Sequence, residues 1–304
     1  MNITPEALRG IYIGYNLRFQ AALGRPAPFY KEICTVVPSS TRGNTYAWMD
    51  RLPKMREWLG DRVINNVTAR SYTIQNKKFE LTDALSADDI NDDQIGVYNA
   101  NIDMMGESAA TYPDDLLAEL MVSGQANIAH DGQFFFDVDH PVNQDDPNSP
   151  VQSNFFTGTP LTQASFASVR AQMMSWKGSD GKVLSVNPTV LVVPPMLENT
   201  ARTILEAELI SRLGVQESNV YKGVAKVLVL PQLAGGVQDT EWYLLDTSKA
   251  IRPFVFQNRE DPKFTMRTQD TDAGVFERDE YTYGVKARGN AGYGLWFLAA
   301  KARA

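Results

Sequence analysis

Residues 91–124, NDDQIGVYNANIDMMGESAATYPDDLLAELMVSG, decide the architecture because they predict one long amphipathic helix near the middle of the chain. Apolar residues recur there at steps of three and four positions, which puts their side chains on one helix face. They are Ile95, Tyr98, Ile102, Met105, Ala109, Leu116, Leu117 and Leu120. Pro113 removes a backbone hydrogen bond and predicts either a kink or the start of a second helix. Four aspartates near the start, Asp88, Asp89, Asp92 and Asp93, suit the positive end of the helix dipole.

Another helix is predicted at the N-terminus. Thr4 can cap it, Pro5 suits the first helical position, and Gly24 can end it. The apolar residues between them share one face: Leu8, Ile11, Tyr12, Tyr15, Phe19 and Leu23. This stripe needs a partner that buries it. The sequence leaves open whether that partner is the subunit's own core or a neighbouring subunit.

The segment between these helices, residues 24–85, predicts an extended excursion. Prolines at positions 26, 28, 38 and 53 interrupt it, and residues 72–76 alternate as a strand does. The segment has few apolar residues and is basic within an acidic chain, so we expect it to pack on something else. Its basic residues are Arg42, Arg51, Lys54, Arg56, Arg62, Arg70, Lys77 and Lys78.

After the long helix, residues 141–160 predict a loop or hinge, because they are rich in Pro, Asn, Asp, Gln and Ser. A compact α/β subdomain of about a hundred residues follows, which is a normal domain size. Its predicted helices are 165–176 and 196–213, the second stopped by Gly214, and its predicted strands are 189–193, 226–230 and 241–245. Residues 264–268, 281–285 and 293–297 alternate as strands. The run 289–292, Gly-Asn-Ala-Gly, predicts a turn and therefore a terminal antiparallel hairpin.

The composition indicates a folded protein of 304 residues with a formal charge of 29 − 36 = −7. That length exceeds what one core usually serves, so we expect two subdomains. The negative charge argues against nucleic acid as a direct partner, because phosphate binding needs clustered Lys and Arg. The single cysteine, Cys34, excludes an intrachain disulfide and a cysteine zinc cage. No secretion signal or membrane-spanning run is visible, so we expect folding in a cytoplasm, no membrane association, and chance sequons at Asn2 and Asn66.

The strongest candidate for chemistry is HDGQFFFDVDHP, residues 130–141, where His130 and His140 bracket Asp131, Asp137 and Asp139. Two imidazoles and three carboxylates could supply metal ligands. Yet no pair of histidines lies four residues apart on a helix, and three consecutive phenylalanines favour a buried strand or turn. We favour a structural role for the histidines and keep a metal-dependent hydrolase as an alternative.

Other enzyme motifs are missing from the sequence. Residues 178–182 have the wrong spacing for a phosphate loop and predict a hairpin turn, and residues 292–294 lack the third glycine of a dinucleotide fingerprint. Cys34 is expected to be buried and inert. The acid pairs 114–115 and 145–146 are expected to be solvated, and the tryptophans at 48, 58, 176, 242 and 296 to be core and interface anchors. We therefore predict no catalytic, cofactor-binding or metal-binding residue, no cofactor, and no enzyme.

Four stretches carry a resemblance to a known family. They are TVVPSSTRGNTYAWMDRLPKMREWLGDRVINN from Thr35, IQNKKFELTDALSADDINDDQIGVY from Ile74, DGQFFFDVDHP from Asp131 and NPTVLVVPPMLENTARTILEAEL from Asn187. In this order, and across most of the chain, they resemble the Mu-like phage major head subunit, the T protein family. Irregular strings such as LPKMREWLGDR have no generic structural reason to recur, which makes the resemblance specific.

The resemblance implies the α+β shell fold of tailed-phage capsids, which is called HK97-like. It also implies a division of the chain into five parts. They are residues 1–35 as an N-terminal arm, 36–90 as an extended loop over a neighbour, 91–150 as a peripheral domain with a spine helix, 151–254 as an axial domain, and 255–304 as strands completing the peripheral domain.

The implied function is that of a major capsid protein that self-assembles into pentamers and hexamers of an icosahedral phage head. Such a head encloses double-stranded DNA without sequence-specific binding. Only about thirty residues precede the extended region, so we expect a separate scaffold protein, together with portal and possibly decoration proteins. The alternative within the same fold is the shell of a cellular nanocompartment that encloses cargo enzymes.

Overall fold

The computed structural model describes residues 3–48, 70–92, 94–212, 215–267, 269 and 272–304. The long helix and the N-terminal helix lie with a four-stranded sheet, and a five-stranded sheet forms the centre of an α/β unit. A smaller apolar cluster fills the space between the two helices and the four-stranded sheet. A larger cluster fills the α/β unit and continues to the nearer end of the four-stranded sheet. The two units therefore share buried contacts.

The helices are α1 (Pro5–Leu23), α2 (Tyr30–Ile33), α3 (Ala87–Asn91), α4 (Asn99–Val122), α5 (Gln163–Ser175), α6 (Glu198–Leu205) and α7 (Ala273–Arg278). Short 3-10 turns occupy Ile95–Tyr98, Ser123–Gln125, Pro195–Leu197, Pro231–Leu233, Gly236–Thr240 and Trp296–Leu298. None of the helices in the described ranges combines the length and apolar character that a bilayer crossing requires.

The strands of the first half are β1 (Cys34–Pro38), β2 (Gly43–Trp48), β3 (Arg70–Gln75), β4 (Lys77–Ser86), β5 (His140–Pro141), β6 (Val151–Gln152) and β7 (Phe155–Phe156). Those of the second half are β8 (Val190–Val193), β9 (Leu209–Arg212), β10 (Val215–Ser218), β11 (Lys226–Val229), β12 (Glu241–Leu245), β13 (Phe254–Met266), β14 (Glu280–Tyr293) and β15 (Ala299–Arg303).

Helix α1 forms as predicted and packs along α4 within the same chain. The Thr4 hydroxyl accepts a hydrogen bond from the Ala7 backbone N–H, and Gly24 ends the helix. The predicted stripe is buried against α4 and the four-stranded sheet, which answers the question that the sequence left open. Gly106 of α4 permits this close approach, because a Cβ there would lie 2.6 Å from the Ala22 Cβ.

Helix α4 runs through Pro113 as one element, so the prediction of a second helix starting there was wrong. Pro113 is buried, and the helix continues in register on both sides of it, with Ala109 and Leu117 buried on the same face. Packing of this face against the rest of the chain compensates for the hydrogen bond that proline cannot donate.

The four-stranded sheet has the order β1-β13-β14-β4. β1 runs parallel to β13, and the other two neighbouring pairs are antiparallel. Strand β4 pairs with β14 over its whole length and forms one edge of the sheet. Residues 77–86 are thus part of the subunit's own sheet, so the expectation that the excursion of residues 24–85 packs on something else and adds little to the fold was wrong for this part of it.

The five-stranded sheet has the order β11-β8-β12-β15-β7. Strand β8, which lies between β11 and β12, is fully buried, and the predicted strands at 189–193, 226–230 and 241–245 are confirmed within one residue at each end. The last strand, β15, pairs antiparallel with β12 and parallel with β7. Residues 299–303 therefore hydrogen-bond to the α/β unit, whereas β13 and β14 belong to the sheet beside α4.

The helix predicted at 196–213 was wrong in its second half. Helix α6 ends at Leu205, and the chain then turns into the hairpin of β9 and β10. The Asn219 side-chain amide donates to the carbonyls of Ile204 and Ala207, at 2.9 and 3.0 Å, which satisfies the last turn of the helix. The predicted stop at Gly214 lies outside the described residues.

The predicted turn at 289–292 was also wrong, because these residues lie inside β14 and pair with β13. The two glycines serve close packing instead of chain reversal. A Cβ at Gly292 would lie 2.4 Å from the Ile74 Cδ1, so only glycine leaves room for β3 on this face. The predicted terminal hairpin is thus replaced by two long strands, β13 and β14, joined through residues that include α7.

Candidate functional site: surfaces for self-assembly

The histidine segment forms a buried structural cluster around His140. The His140 ring stacks on Trp296 with 4.0 Å between ring centroids and 5° between planes. Its Nδ1 lies 2.5 Å from the Asp131 Oδ2, and its Nε2 lies 3.2 Å from the Asn154 Oδ1. Both ring nitrogens face acceptor oxygens, so neither offers a free lone pair to a metal. The Asn154 amide also donates to the Phe135 and Trp296 carbonyls.

The remaining acidic groups of that segment do not join His140 in one site. Asp137 is half-buried and accepts from the Phe134 and Val138 backbone N–H groups, while Asp139 is exposed. Partial desolvation of the carboxyl group and the neighbouring Asp137 raise the pKa of Asp139. Among the residues that the structure describes, no three His, Cys, Asp or Glu side chains are grouped so that they could hold a metal ion.

Cys34 is buried at the start of β1 and has only 1% of its surface exposed. Burial raises the pKa of its thiol to about 12, against the smaller opposing effect of Arg252. A thiol that keeps its proton at neutral pH is a poor nucleophile. The side chain thus has the buried, unreactive character that the sequence predicted for it.

Asp114 joins the long helix to the segment that follows α1. Its two carboxylate oxygens accept hydrogen bonds from the backbone N–H groups of Phe29 and Tyr30, at 3.2 and 2.8 Å. Asp114 is 4% exposed, so the expectation of a solvated acid pair was wrong for it, whereas Asp115 is exposed. Burial raises the pKa of Asp114 to about 6, against the lowering effect of the two N–H groups. The segment after α1 is therefore held to α4 by a buried acceptor.

We expect Asp114→Asn to flatten the pH dependence of subunit stability. The pKa of about 6 in the folded state exceeds the ordinary value of 3.8, so the folded state binds this proton more tightly than the unfolded chain. The contribution is fully present below about pH 3.8 and is lost as the pH rises through about 6. It amounts to at most about 3 kcal/mol. Urea unfolding of unassembled subunits between pH 4 and 7.5 measures it, with exposed Asp115→Asn as the matched control; equal slopes for both variants would contradict the expectation.

A buried ion pair fixes the last strand to the α/β unit. The Lys301 Nζ lies 2.8 Å from the Glu241 Oε1, and the Tyr243 hydroxyl donates to the Glu241 Oε2 at 2.8 Å. The Lys301 and Glu241 side chains are 1% and 5% exposed. Burial lowers the pKa of Lys301, and Glu241 opposes that shift. No motif in the sequence indicated this pair, because its partners lie on strands that are distant along the chain.

The base of the extended excursion is anchored on the subunit itself. Strands β2 and β3 pair from Gly43↔Gln75 to Trp48↔Arg70, so they bring the two ends of residues 49–69 together. Ile74 is buried, and the Gln257 amide donates to the Ile74 carbonyl and to the Asn76 side chain, at 3.2 and 2.7 Å. Residues 49–69, with Trp58 and Leu59, lie outside the described residues.

Helix α1 also has an exposed apolar face opposite the one that it buries. Ile13 and Leu17 are 49% and 67% exposed, and added Cβ atoms at Gly10 and Gly14 would meet nothing within 4 Å. Interior glycines each cost a helix about 1 kcal/mol relative to alanine. Exposed apolar side chains and costly glycines on one face are typical of a surface that a partner covers.

Comparison with known proteins identifies the kind of protein to which these surfaces belong. The model of one family, described as the Mu-like prophage major head subunit gpT, matches residues 8–166, 155–233 and 234–304. The "Mu-like prophage FluMu major head subunit" of Haemophilus influenzae is 30% identical over 300 residues, which cover 98% of this chain and 73% of the relative. The "Major capsid protein" of Escherichia phage Mu is 31% identical over 299 residues, which cover 98% of this chain and 74% of the relative.

A solved structure shows the same similarity in three dimensions. The chain superimposes on a subunit of the procapsid of bacteriophage JBD30 with a TM-score of 0.62 and 33% sequence identity. The alignment covers 99% of this chain and 76% of that subunit. The α+β architecture with a long helix, a four-stranded sheet and an α/β unit is thus the shell fold that the sequence resemblance implied.

Proposed function

The chain belongs to the Mu-like prophage major head subunit gpT family and is a major capsid protein of the phage head, and from this premise we propose how its parts assemble. The family consists of structural proteins of the virion and not of enzymes, and the subunit assembles with copies of itself. The α/β unit, within residues 151–254 and with β15 added to its sheet, would face the five- and six-fold axes as an axial domain. The unit built on α4 would form the peripheral domain between them.

The extended loop and the N-terminal arm would make the contacts between neighbouring subunits. The observation that carries this proposal is the anchored base of β2 and β3, which pair as a two-stranded sheet of their own and bring the two ends of residues 49–69 together. Ordering those residues alone would cost roughly 1–2 kcal/mol per residue of backbone entropy. Contacts with a neighbour would offset that cost. The exposed Ile13 and Leu17 face of α1 offers a second surface of the same kind.

Separate scaffold, portal and decoration proteins are further proposed partners. We propose that the head encloses DNA. The net charge of −7 on each subunit suits an inner wall that does not bind the packed DNA tightly or in a sequence-specific way. The basic residues of the extended loop would then contact acidic residues of a neighbouring subunit. Such contacts would determine which surfaces pair and in which register, and would contribute less to the binding affinity. The shell of a nanocompartment would differ in its contents, which would be cargo enzymes instead of DNA.

Cryo-electron microscopy of particles from cells that express the chain with its neighbouring head genes tests the arrangement. We expect megadalton shells with pentameric and hexameric clusters, residues 151–254 at the cluster centres, and residues 49–69 lying over an adjacent subunit. A protein that sediments only as a small oligomer under all conditions would contradict self-assembly. Shells in which residues 49–69 contact only their own subunit would contradict the proposed role of the loop.

A further inference from the structure

Strand β4 forms a regular edge of the four-stranded sheet among the described residues. It pairs with β14 at ten consecutive positions, from Lys77↔Gly289 to Ser86↔Glu280, with no register shift. Within the described residues, no strand pairs with its other side. Natural proteins usually protect such edges with proline, bulges, lysines or a covering element. Lys77 and Lys78 stand at its beginning and the charged Glu80 and Asp83 further along, but within the described residues no proline, bulge or covering element blocks its centre.

The backbone groups that face this edge can be assigned. The Ala87 backbone N–H bonds to the Asp279 carbonyl, so this pair continues the ladder as a hydrogen-bonded pair. Bonded and non-bonded pairs alternate in an antiparallel ladder. Odd-numbered residues of β4 therefore bond to β14, and the N–H and C=O groups of Lys78, Glu80 and Thr82 point to the open side. The Ala84 N–H is satisfied by the Asp83 side chain at 2.9 Å.

Both faces beside the edge favour an added strand with apolar and polar residues in alternation. On the α4 side, Leu81 is 42% exposed next to a recess of about 70 Å³. This recess is lined by Phe79, Leu81, Ala109, Tyr112, Val285 and Ala287. On the opposite face, Glu80 lies across from Lys286 and Lys78 across from Arg288. A carboxylate of the added strand would lie beside Lys78 of β4, whereas Lys286 and Arg288 stand one strand further away and pair with Glu260.

From this edge we infer that β4 pairs antiparallel with β4 of a second copy of the chain about a twofold axis at Glu80. The inference rests on the proposed function, since it adds one contact to the assembled shell. In this register Lys78 lies opposite Thr82 of the partner subunit, and Phe79 lies opposite Leu81 of the partner subunit, so both apolar recesses are covered. Lys77 lies opposite Asp83 of the partner subunit. The two Glu80 carboxylates lie directly opposite each other, and each is diagonal to Lys78 of the partner subunit, whose positive charge offsets their repulsion. The satisfied Ala84 N–H groups remain outside the ladder.

The size of this contact explains why it would operate only in a shell. Three bonded pairs and two apolar contacts make an interface below the roughly 1,200 Å² that stable pairs bury. Free subunits would stay monomeric, and many weak contacts would add up once the shell closes. In this isologous pair the β4 edges of both copies are occupied. No unpaired edge is then left to which further copies could add without limit.

Disulfide trapping in particles tests the pairing. Glu80→Cys puts two cysteines opposite each other in a bonded pair, about 5.5 Å apart between Cα atoms, which a disulfide can bridge. Thr82→Cys is the matched control, because two such residues would be offset by about 13 Å along the strands. The native Cys34 is 1% exposed and gives little background. On mild oxidation we expect about tenfold more covalent dimer from Glu80→Cys than from Thr82→Cys on non-reducing gels.

The pair Lys78→Cys with Thr82→Cys gives a second test that leaves Glu80 in place, and it should also yield dimers. Particles are isolated by sedimentation before oxidation, so particle formation reports on the proposed function and the dimer band reports on β4. Particles that give no dimer from Glu80→Cys or from the double variant would overturn the inference. Equal yields from Glu80→Cys and Thr82→Cys would overturn it too, because they would indicate random collision.

Discussion

Replacement of residues 50–62 by a short Gly-Ser linker is expected to give a soluble, folded subunit that cannot close shells. Strands β2 and β3 meet at the Trp48↔Arg70 pair, so a short linker can span the two ends. The sheet of β1, β13, β14 and β4 and the packing of α1 on α4 are formed by elements that lie outside the replaced segment. The loss should therefore be confined to contacts between subunits, which in obligate assemblies bury about 2,000–5,000 Å².

Circular dichroism and sedimentation separate the possible outcomes of that replacement. Near-native helix and strand content with only small oligomers is the expected result. Normal particles would refute the assignment of the loop to subunit contacts, and a globally unfolded monomer would show that the loop belongs to the core. The sequence predicts three apolar anchors for this contact, Trp48, Trp58 and Leu59, and Trp58→Ala combined with Leu59→Ala is a milder variant that tests two of them. It should lower particle yield without changing the unfolding midpoint of free subunits.

The elements that the sequence predicted well are those with local signals. Thr4, Pro5 and Gly24 mark the two ends of α1 within the helix's own neighbourhood. The apolar run at Val190–Val193 is short and bounded by prolines, and it forms the buried interior strand β8. In both cases the residues that determine the structure are adjacent in sequence, so composition and spacing are enough.

The predictions that failed depended on partners far away in the chain. Glycines at 289 and 292 indicate a turn or a close contact equally well, and only the position of Ile74 decides between them. Asp114 lies on the pattern of an exposed acid pair, yet the backbone of Phe29 and Tyr30 covers it. The end of α6 depends on Asn219, which lies beyond the hairpin that follows the helix. Single-sequence periodicity carries no information on such contacts.

The histidine segment, residues 130–141, was predicted in part from local signals and depends in part on distant residues. The sequence favoured a hydrogen-bonded turn over a metal site, and Asp131 and His140 do lie together. The stack on Trp296 and the role of Asn154, which joins residues 131–140 to the last strand, could not be read from the segment itself. A buried imidazole with two oxygen partners is thus the physical reason why this acid- and histidine-rich stretch is structural.

The second large effect is expected from Lys301→Met, which should destabilise the subunit by about 3–5 kcal/mol. The substitution removes the cation and leaves the Glu241 carboxylate without its partner, almost fully buried beside Tyr243. An unpaired buried charge costs more than the pair contributes, because desolvation is no longer offset. The damage should be concentrated at the pairing of β15 with β12, which holds the C-terminal strand in the five-stranded sheet.

The double variant Lys301→Met with Glu241→Gln distinguishes two effects: loss of the ion pair itself, and burial of a carboxylate that has no cation beside it. It removes both charges and keeps an acceptor for the Tyr243 hydroxyl, so it should recover much of the stability that Lys301→Met loses. Exposed Lys226→Met, which breaks the surface pair with Glu32, is the matched control and should cost at most about 1 kcal/mol. Urea unfolding of unassembled subunits at neutral pH measures all three variants. If the double variant is as unstable as Lys301→Met alone, the buried carboxylate is not the source of the loss, and packing of the lysine side chain against Tyr243 becomes the explanation.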